Sequence, residues 1–171
     1  MRLATATDAN NLAALATQVF LHTYATGGVT DDLSAFVLEA FSSEAFARTI
    51  GDASRAVIVE EHDGALVAFS ELAFGAPCPD DAGVTTEVTR FYVQEHFARA
   101  GIGTALLEAT ADLARERTGS GGLWLTVYAG NPGAIAFYLR RGFEQVGTYW
   151  FELASASHEN HVMVLREPAR S

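Results

Sequence analysis

Residues 84–118, VTTEVTRFYVQEHFARAGIGTALLEATADLARERT, change their hydrophobic period in mid-course. VTTEVTRFYV alternates with period two and is rich in β-branched and aromatic residues, which specifies a strand over 84–93. From Gly101 to Thr118 the period is helical, with Leu106, Leu107, Thr110, Leu113 and Ala114 on one stripe. Between them stands a G-x-G corner at Gly101 and Gly103. A dinucleotide fingerprint would need a third glycine where Leu106 stands, and a phosphate-binding loop of the Gly-Lys-Ser/Thr type is absent. Two readings remain open. The glycines simply let the chain swing into the helix, or bare backbone and the N–H groups of Ala100 to Thr104 cradle an anion at the helix's positive end.

The flanking elements set the fold class. Arg2 to Thr7 reads as a short first strand, and Asp8 as the cap of a helix carrying Leu12, Leu15, Ala16, Val19 and Phe20. Thr30 caps a second helix with Leu33, Phe36, Val37, Ala40 and Phe41 inward, and Ser43 starts a short third ending at Gly51. AVIVEEH and ALVAFSELAF, joined by Asp63 and Gly64, form a hairpin with a two-residue turn. Residues 75–83, GAPCPDDAG, are a loop by composition. After the central helix, GSGG at 119–122 leads into the strand LWLTVYA. Asn131 then caps a helix with Pro132 at its first position, Arg141 ends it and Gly142 follows. FEQVGTYWFEL and HVMVLRE are two last strands. The expected order, β-α-α-β-β-β-α-β-α-β-β, is α/β: an α+β mixed sheet with helices on its faces, in one domain of 171 residues.

Composition narrows the function. The formal net charge of −10 disfavours nucleic acid as a partner; it either draws a cationic substrate or only keeps the protein soluble. No apolar run approaches a membrane span, no secretory leader is visible, and Cys78 is a lone cysteine, so a cytoplasmic protein without disulfides is expected. No metal-ligand spacing occurs.

In NPGAIAFYLRRGF, residues 131–143, Asn131, Ala134, Tyr138 and Arg141 fall on one helical stripe, with Ile135, Ala136, Leu139 and Phe143 free to pack inward. VTRFYV, the glycine corner and this helix, at these separations, resemble the GNAT superfamily of acetyl-CoA-dependent N-acetyltransferases. The resemblance covers residues 84–153. Fainter similarity in TQVFLHTY, DDLSAFVLEAF and HVMVL resembles the bacterial polyamine (spermidine/spermine) acetyltransferases. One departure is clear: the family's Arg or Gln before the glycines falls on Ala98, with Arg99 one residue later.

The resemblance implies a GNAT-like acyl-CoA N-acyltransferase fold, acetyl-CoA as co-substrate, and no metal. Its cofactor contacts map onto Phe91, Tyr92 and Val93 beside pantetheine, Ala98, Arg99, Ala100, Gly101, Ile102, Gly103 and Thr104 around pyrophosphate, and Asn131, Ala134, Phe137 and Tyr138 on the later helix. In the family the Tyr at position 138 gives a proton to the departing thiolate, whereas the residues alone allow a half-buried aromatic. A backbone N–H, that of Val93, serves the oxyanion. An amine of pKa ~10 must lose a proton before it attacks. Glu87, sharing a strand face with Thr89, Phe91 and Val93, is either the base, acting through water, or an anchor for the cationic acceptor; Glu71 is a second acidic candidate. Tyr24, Asp31, Asp32, Glu39 and Trp150 are acceptor-side candidates. The competing readings are an acyl-CoA-binding or sensing module that lacks turnover, an acetyltransferase acting on a protein N-terminus, a lysine or an antibiotic amine, and a structural or subunit-interaction domain. The working unit is expected to be a monomer or homodimer.

Overall fold

The computed structural model describes residues 1–153 and 156–167. Its strands join in a seven-stranded sheet of order β1-β2-β3-β4-β5-β7-β6, so the expected mixed α/β class holds. By internal packing the chain divides into two compact units, residues 1–72 with 90–110 and residues 73–89 with 111–171.

In the first unit, β1 is confined to Arg2–Leu3 and the helix α1 runs Ala9–Tyr24. The first strand is shorter than its sequence suggests because Asp8 is captured. Both oxygens of its carboxylate take bonds from the Arg2 guanidinium (2.7 and 2.9 Å), and Oδ2 also accepts the Thr5 N–H (2.7 Å). Residues 6–8 therefore turn as a 3-10 segment, and Asp8 gives α1 no side-chain cap. Hydrogen bonding from Arg2 holds the Asp8 carboxyl well below the usual carboxylate range.

The helices α2 (Asp31–Ala40) and α3 (Ser43–Gly51) start where their caps predict, with Thr30 Oγ1 accepting from Leu33 N and Ser42 Oγ from Ala45 N. Leu12, Leu15, Ala16 and Phe20 of α1, and Leu33, Val37 and Phe41, are buried; Val19 is only half-buried. The strands β2 (Arg55–His62) and β3 (Ala65–Phe74) form the hairpin, and Asp63 (φ 51°) and Gly64 (φ 80°) supply the two positive angles of a type I′ turn. Phe46 meets Phe69 edge-on at 5.7 Å, and Phe20 meets Phe41 at 5.2 Å. Each such side chain contributes about 1.5–3 kcal/mol by leaving water.

The strand β4 (Thr86–Val93) and the helix α4 (Ile102–Thr118) carry the opening stretch. On α4, Leu106, Leu107, Thr110 and Ala114 are buried and Leu113 is half-buried. Thr110 satisfies its hydroxyl on the Leu106 carbonyl at 2.7 Å.

The second unit holds β5 (Leu123–Tyr128), α5 (Pro132–Arg140), β6 (Glu144–Leu153) and β7 (Ala156–Leu165). The strand β5 runs parallel to β4, Glu87 opposite Trp124, and antiparallel to β7, Thr126 opposite Val162 and Tyr128 opposite Asn160. β6 pairs with β7 with a bulge between Gln145 and Gly147. The buried face of α5 differs from the expected stripe. Leu139, expected inward, is 53% exposed, and it is Tyr138, at 6%, that joins the core with Phe143.

Candidate active site

The glycine corner belongs to the first unit. Gln94 ties β4 to β3 through its N–H and the Val67 carbonyl (2.9 Å), and residues 95–97 make one 3-10 turn. Residues 98–101 are exposed. Arg99 is left-handed (φ 66°), as is Gly101 (φ 84°), whose carbonyl accepts the first bond of α4 from Ala105 N (3.1 Å). A Cβ is strained at residue 101 for that reason. Gly103 differs: it lies in the first turn of α4 with ordinary helical backbone, so conformation alone does not demand glycine there. The first turn of any helix points N–H groups away from the helix with no intrahelical acceptor, so the corner presents a concentration of donors on bare backbone next to the Arg99 charge.

Tyr92 lies edge-on to Phe41 (6.4 Å) and Phe69 (5.3 Å), and burial pushes its phenol well above its ordinary pKa. Its side chain is half-buried against that aromatic cluster. Phe91 and Val93 point to the other side of β4 and are half-buried. Tyr24 stacks on Phe20 at 4.3 Å. Asp31 and Asp32 are exposed in the first turn of α2, where acidic residues favour a helix start, and Glu39 is exposed on the same helix.

Glu71 is 1% exposed and clamped by two guanidiniums: Arg55 Nη2 to Oε1 at 2.7 Å, and Arg90 Nη1 to Oε2. Arg90 also lies over the rings of Phe41 (5.2 Å) and Phe46 (5.4 Å). Both carboxylate oxygens are engaged, which gives Glu71 the character of a buried ion-pair centre. The pairing partners lie 16 and 19 positions away in the chain and carry no local signature.

In the second unit Asn131 caps α5, its Oδ1 accepting from Ala134 N at 3.1 Å, with Pro132 at the first position. The cap uses the oxygen; the amide NH₂ takes no part in it. Ala134 and Phe137 are half-buried, Tyr138 touches Phe137 and Phe143 with ring centroids at 5.3 Å, and the Arg141 guanidinium lies over Phe137 at 5.8 Å. Glu87 is half-buried beside Trp124. Trp150 is 56% exposed and pairs with Glu159, so it projects from the opposite sheet face to Tyr149, which pairs with Asn160. Among the described residues no group of three or more His, Cys, Asp or Glu is arranged to hold a metal ion, and no helix is long and apolar enough to cross a membrane.

A strand entering an exposed, glycine-lined helix start, followed by a second strand and an Asn-capped helix, defines an acyltransferase-type α/β fold. The chain belongs to the acetyltransferase (GNAT) family, whose profile matches residues 27–143, and it is thereby an enzyme of the N-acetyltransferase class. An uncharacterized N-acetyltransferase of Mycobacterium tuberculosis is 32% identical over 161 residues, covering 94% of this chain and 98% of that protein. Among solved structures, a PaiA N-acetyltransferase from Thermoplasma acidophilum in complex with coenzyme A aligns with a TM-score of 0.76 at 20% identity, over 97% of each chain. A putative acetyltransferase, YncA, from Salmonella typhimurium with its cofactor acetyl-CoA aligns with a TM-score of 0.70 at 20% identity, over 99% of this chain and 94% of that one.

Proposed function

We propose that the protein transfers the acetyl group of acetyl-CoA to the primary amine of a small cationic acceptor of polyamine-like chemistry, in one direct step within a ternary complex. The observation that carries this is the exposed, glycine-lined start of α4, with left-handed Arg99 and Gly101, inside the segment matched to the family. Acetyl-CoA bound there supplies an activated thioester. The N–H groups of residues 100–104 hold the pyrophosphate, with Arg99 adding charge in place of the residue that Ala98 lacks. The Val93 N–H donates to the oxyanion, and Glu87 draws the proton from the ammonium group through water or fixes the cation. Tyr138 donates its phenolic proton to the leaving thiolate, and the Asn131 NH₂ binds pantetheine. On the acceptor side, Tyr24 and Trp150 are further contacts. The net charge of −10 supports a cationic acceptor. The family match over 27–143 supports residues 1–171 acting as one acetyltransferase domain. The single buried thiol of Cys78 fits a cytoplasmic setting.

A panel of primary amines incubated with acetyl-CoA, with free thiol followed, tests the reading: polyamines and related diamines are expected to release thiol. Tight acetyl-CoA binding with no thiol from any amine would assign the chain to the silent binding class instead.

Gly103→Val tests the cradle. Because residue 103 is helical and not left-handed, valine fits the backbone and is a better helix former than glycine. Its branched side chain stands where a phosphate must approach. Titration is expected to show CoA affinity reduced by about tenfold or more, a smaller loss for pantetheine lacking the pyrophosphate, and a nearly unchanged thermal midpoint. Equal weakening of both ligands would reduce the corner to a turn.

A further inference from the structure

The strand β5 lies between β4 and β7, and its neighbours are buried, yet Thr126 at its middle is exposed. Leu125, Val127 and Val162, the residue opposite Thr126, are at most 6% exposed. The register explains the contrast. Glu87, Trp124 and Val164 stand side by side on one face, Thr126 and Val162 form the next row, and Tyr128, Asn160 and Tyr149 the row after. Over the first row the 75–84 loop is folded down: Cys78 and Val84 pack with Trp124, Val162 and Val164, and the Trp124 indole N–H donates to the Ala76 carbonyl at 2.7 Å. On β7 that cover reaches Val162 in the Thr126 row, and Asp80 of the loop stands against Gly147 beyond it, but Thr126 itself stays exposed. At the far side Tyr128 meets His158 edge-on at 5.5 Å, and its ring lies so near Gly130 that a Cβ there would come within 2.5 Å of it. Glycine at 130 thus lets Tyr128 fold back as a wall.

We infer that this open stretch of sheet face, floored by Thr126 and bounded by Glu87 and the Tyr128–His158 pair, is the seat of the acceptor amine. The inference rests on the acetyl-transfer reading and deepens it. A carboxylate at one end takes the ammonium group; a hydroxyl floor and aromatic edges at the other take an aliphatic stem carrying polar groups. Such a seat suits an extended primary amine, and its length along β5 sets which chain lengths fit. Thr126 and His158 are specificity residues here, with no part in proton transfer.

Thr126→Phe fills the floor at an exposed position on a strand, where phenylalanine has high β propensity, so the fold is expected to be kept; circular dichroism and the thermal midpoint verify it. The acceptor KM is expected to rise at least about tenfold, with acetyl-CoA affinity within about twofold of the parent. His158→Ala is expected to shift the ratio of kcat/KM between short and long diamines. Ligand-observed NMR of the same amines, with CoA present, reads the seat without turnover: signals of bound amine in the parent are lost in Thr126→Phe. Amine binding without thiol release would overturn acetyl transfer and leave the seat standing. An acceptor KM and amine binding unchanged in folded Thr126→Phe, or no amine bound by the parent, would overturn the seat.

Discussion

Tyr138→Phe is expected to lower kcat by about 10²-fold while leaving acetyl-CoA affinity nearly unchanged. The substitution removes one phenolic proton and keeps the ring, and the ring is what packs: Tyr138 is 6% exposed, with Phe137 and Phe143 both at 5.3 Å. The loss should fall on the chemical step. A hundredfold drop corresponds to about 2.7 kcal/mol of transition-state stabilisation at 1.36 kcal/mol per tenfold, within reach of a general acid that protonates a thiolate. Steady-state kinetics with saturating acetyl-CoA, paired with a CoA titration, make the measurement. An unaltered kcat would leave Tyr138 as a core aromatic and return the thiolate's proton to solvent.

Glu71→Ala is expected to cost about 3 kcal/mol of folding stability, read as a lowered urea midpoint at unchanged slope. The carboxylate is 1% exposed and serves Arg55 and Arg90 together, so its removal takes a shared counter-charge from two partly enclosed guanidiniums. The side chains of Arg55 and Arg90 keep 32% and 23% exposure, and water can soften the repulsion. That sets the expectation at the low end of the range for a broken buried ion pair. Glu71→Gln preserves an acceptor and should lose less. In whichever variant remains folded, the pH profile of kcat/KM is expected to keep the parent's acidic limb, as follows from the proposal of Glu87 as the base. A vanished limb would transfer the base role from Glu87 to Glu71.

What was legible in the chain was local. Asp63-Gly64 fixes its hairpin because two adjacent positive angles are a property of those two residues, and Asn131-Pro132 fixes the start of α5 because cap and first position are neighbours. The glycine corner was legible for the same reason, since strand, turn and helix follow without interruption. What depended on distant partners was not. Asp8 bends the first strand short only because Arg2 folds back onto it. The inward face of α5 was inverted between Leu139 and Tyr138 because nine helical residues hold several apolar stripes, and only the packing with Phe143 selects one. Glu71 stood only as a second acidic candidate because its partners Arg55 and Arg90 lie on other strands. Thr126 stands out in LWLTVY only as the one polar residue of an apolar run, and its exposure depends on what the rest of the chain lays over the sheet.

The sheet order leaves its two ends unequal. At one end β1 is two residues long, too short to template anything; at the other β6 offers ten, with Tyr149 and Trp150 outward on alternate faces. A long edge with aromatic side chains invites another chain to add as a strand. The bulge at Gln145–Gly147 twists that edge out of flatness, Glu144 and Glu152 set carboxylates along it, and a net charge of −10 keeps copies of the molecule apart. That acidity is thus the protein's colloidal protection, and it fades toward the isoelectric point near 4.8, where the β6 edge becomes the weak flank.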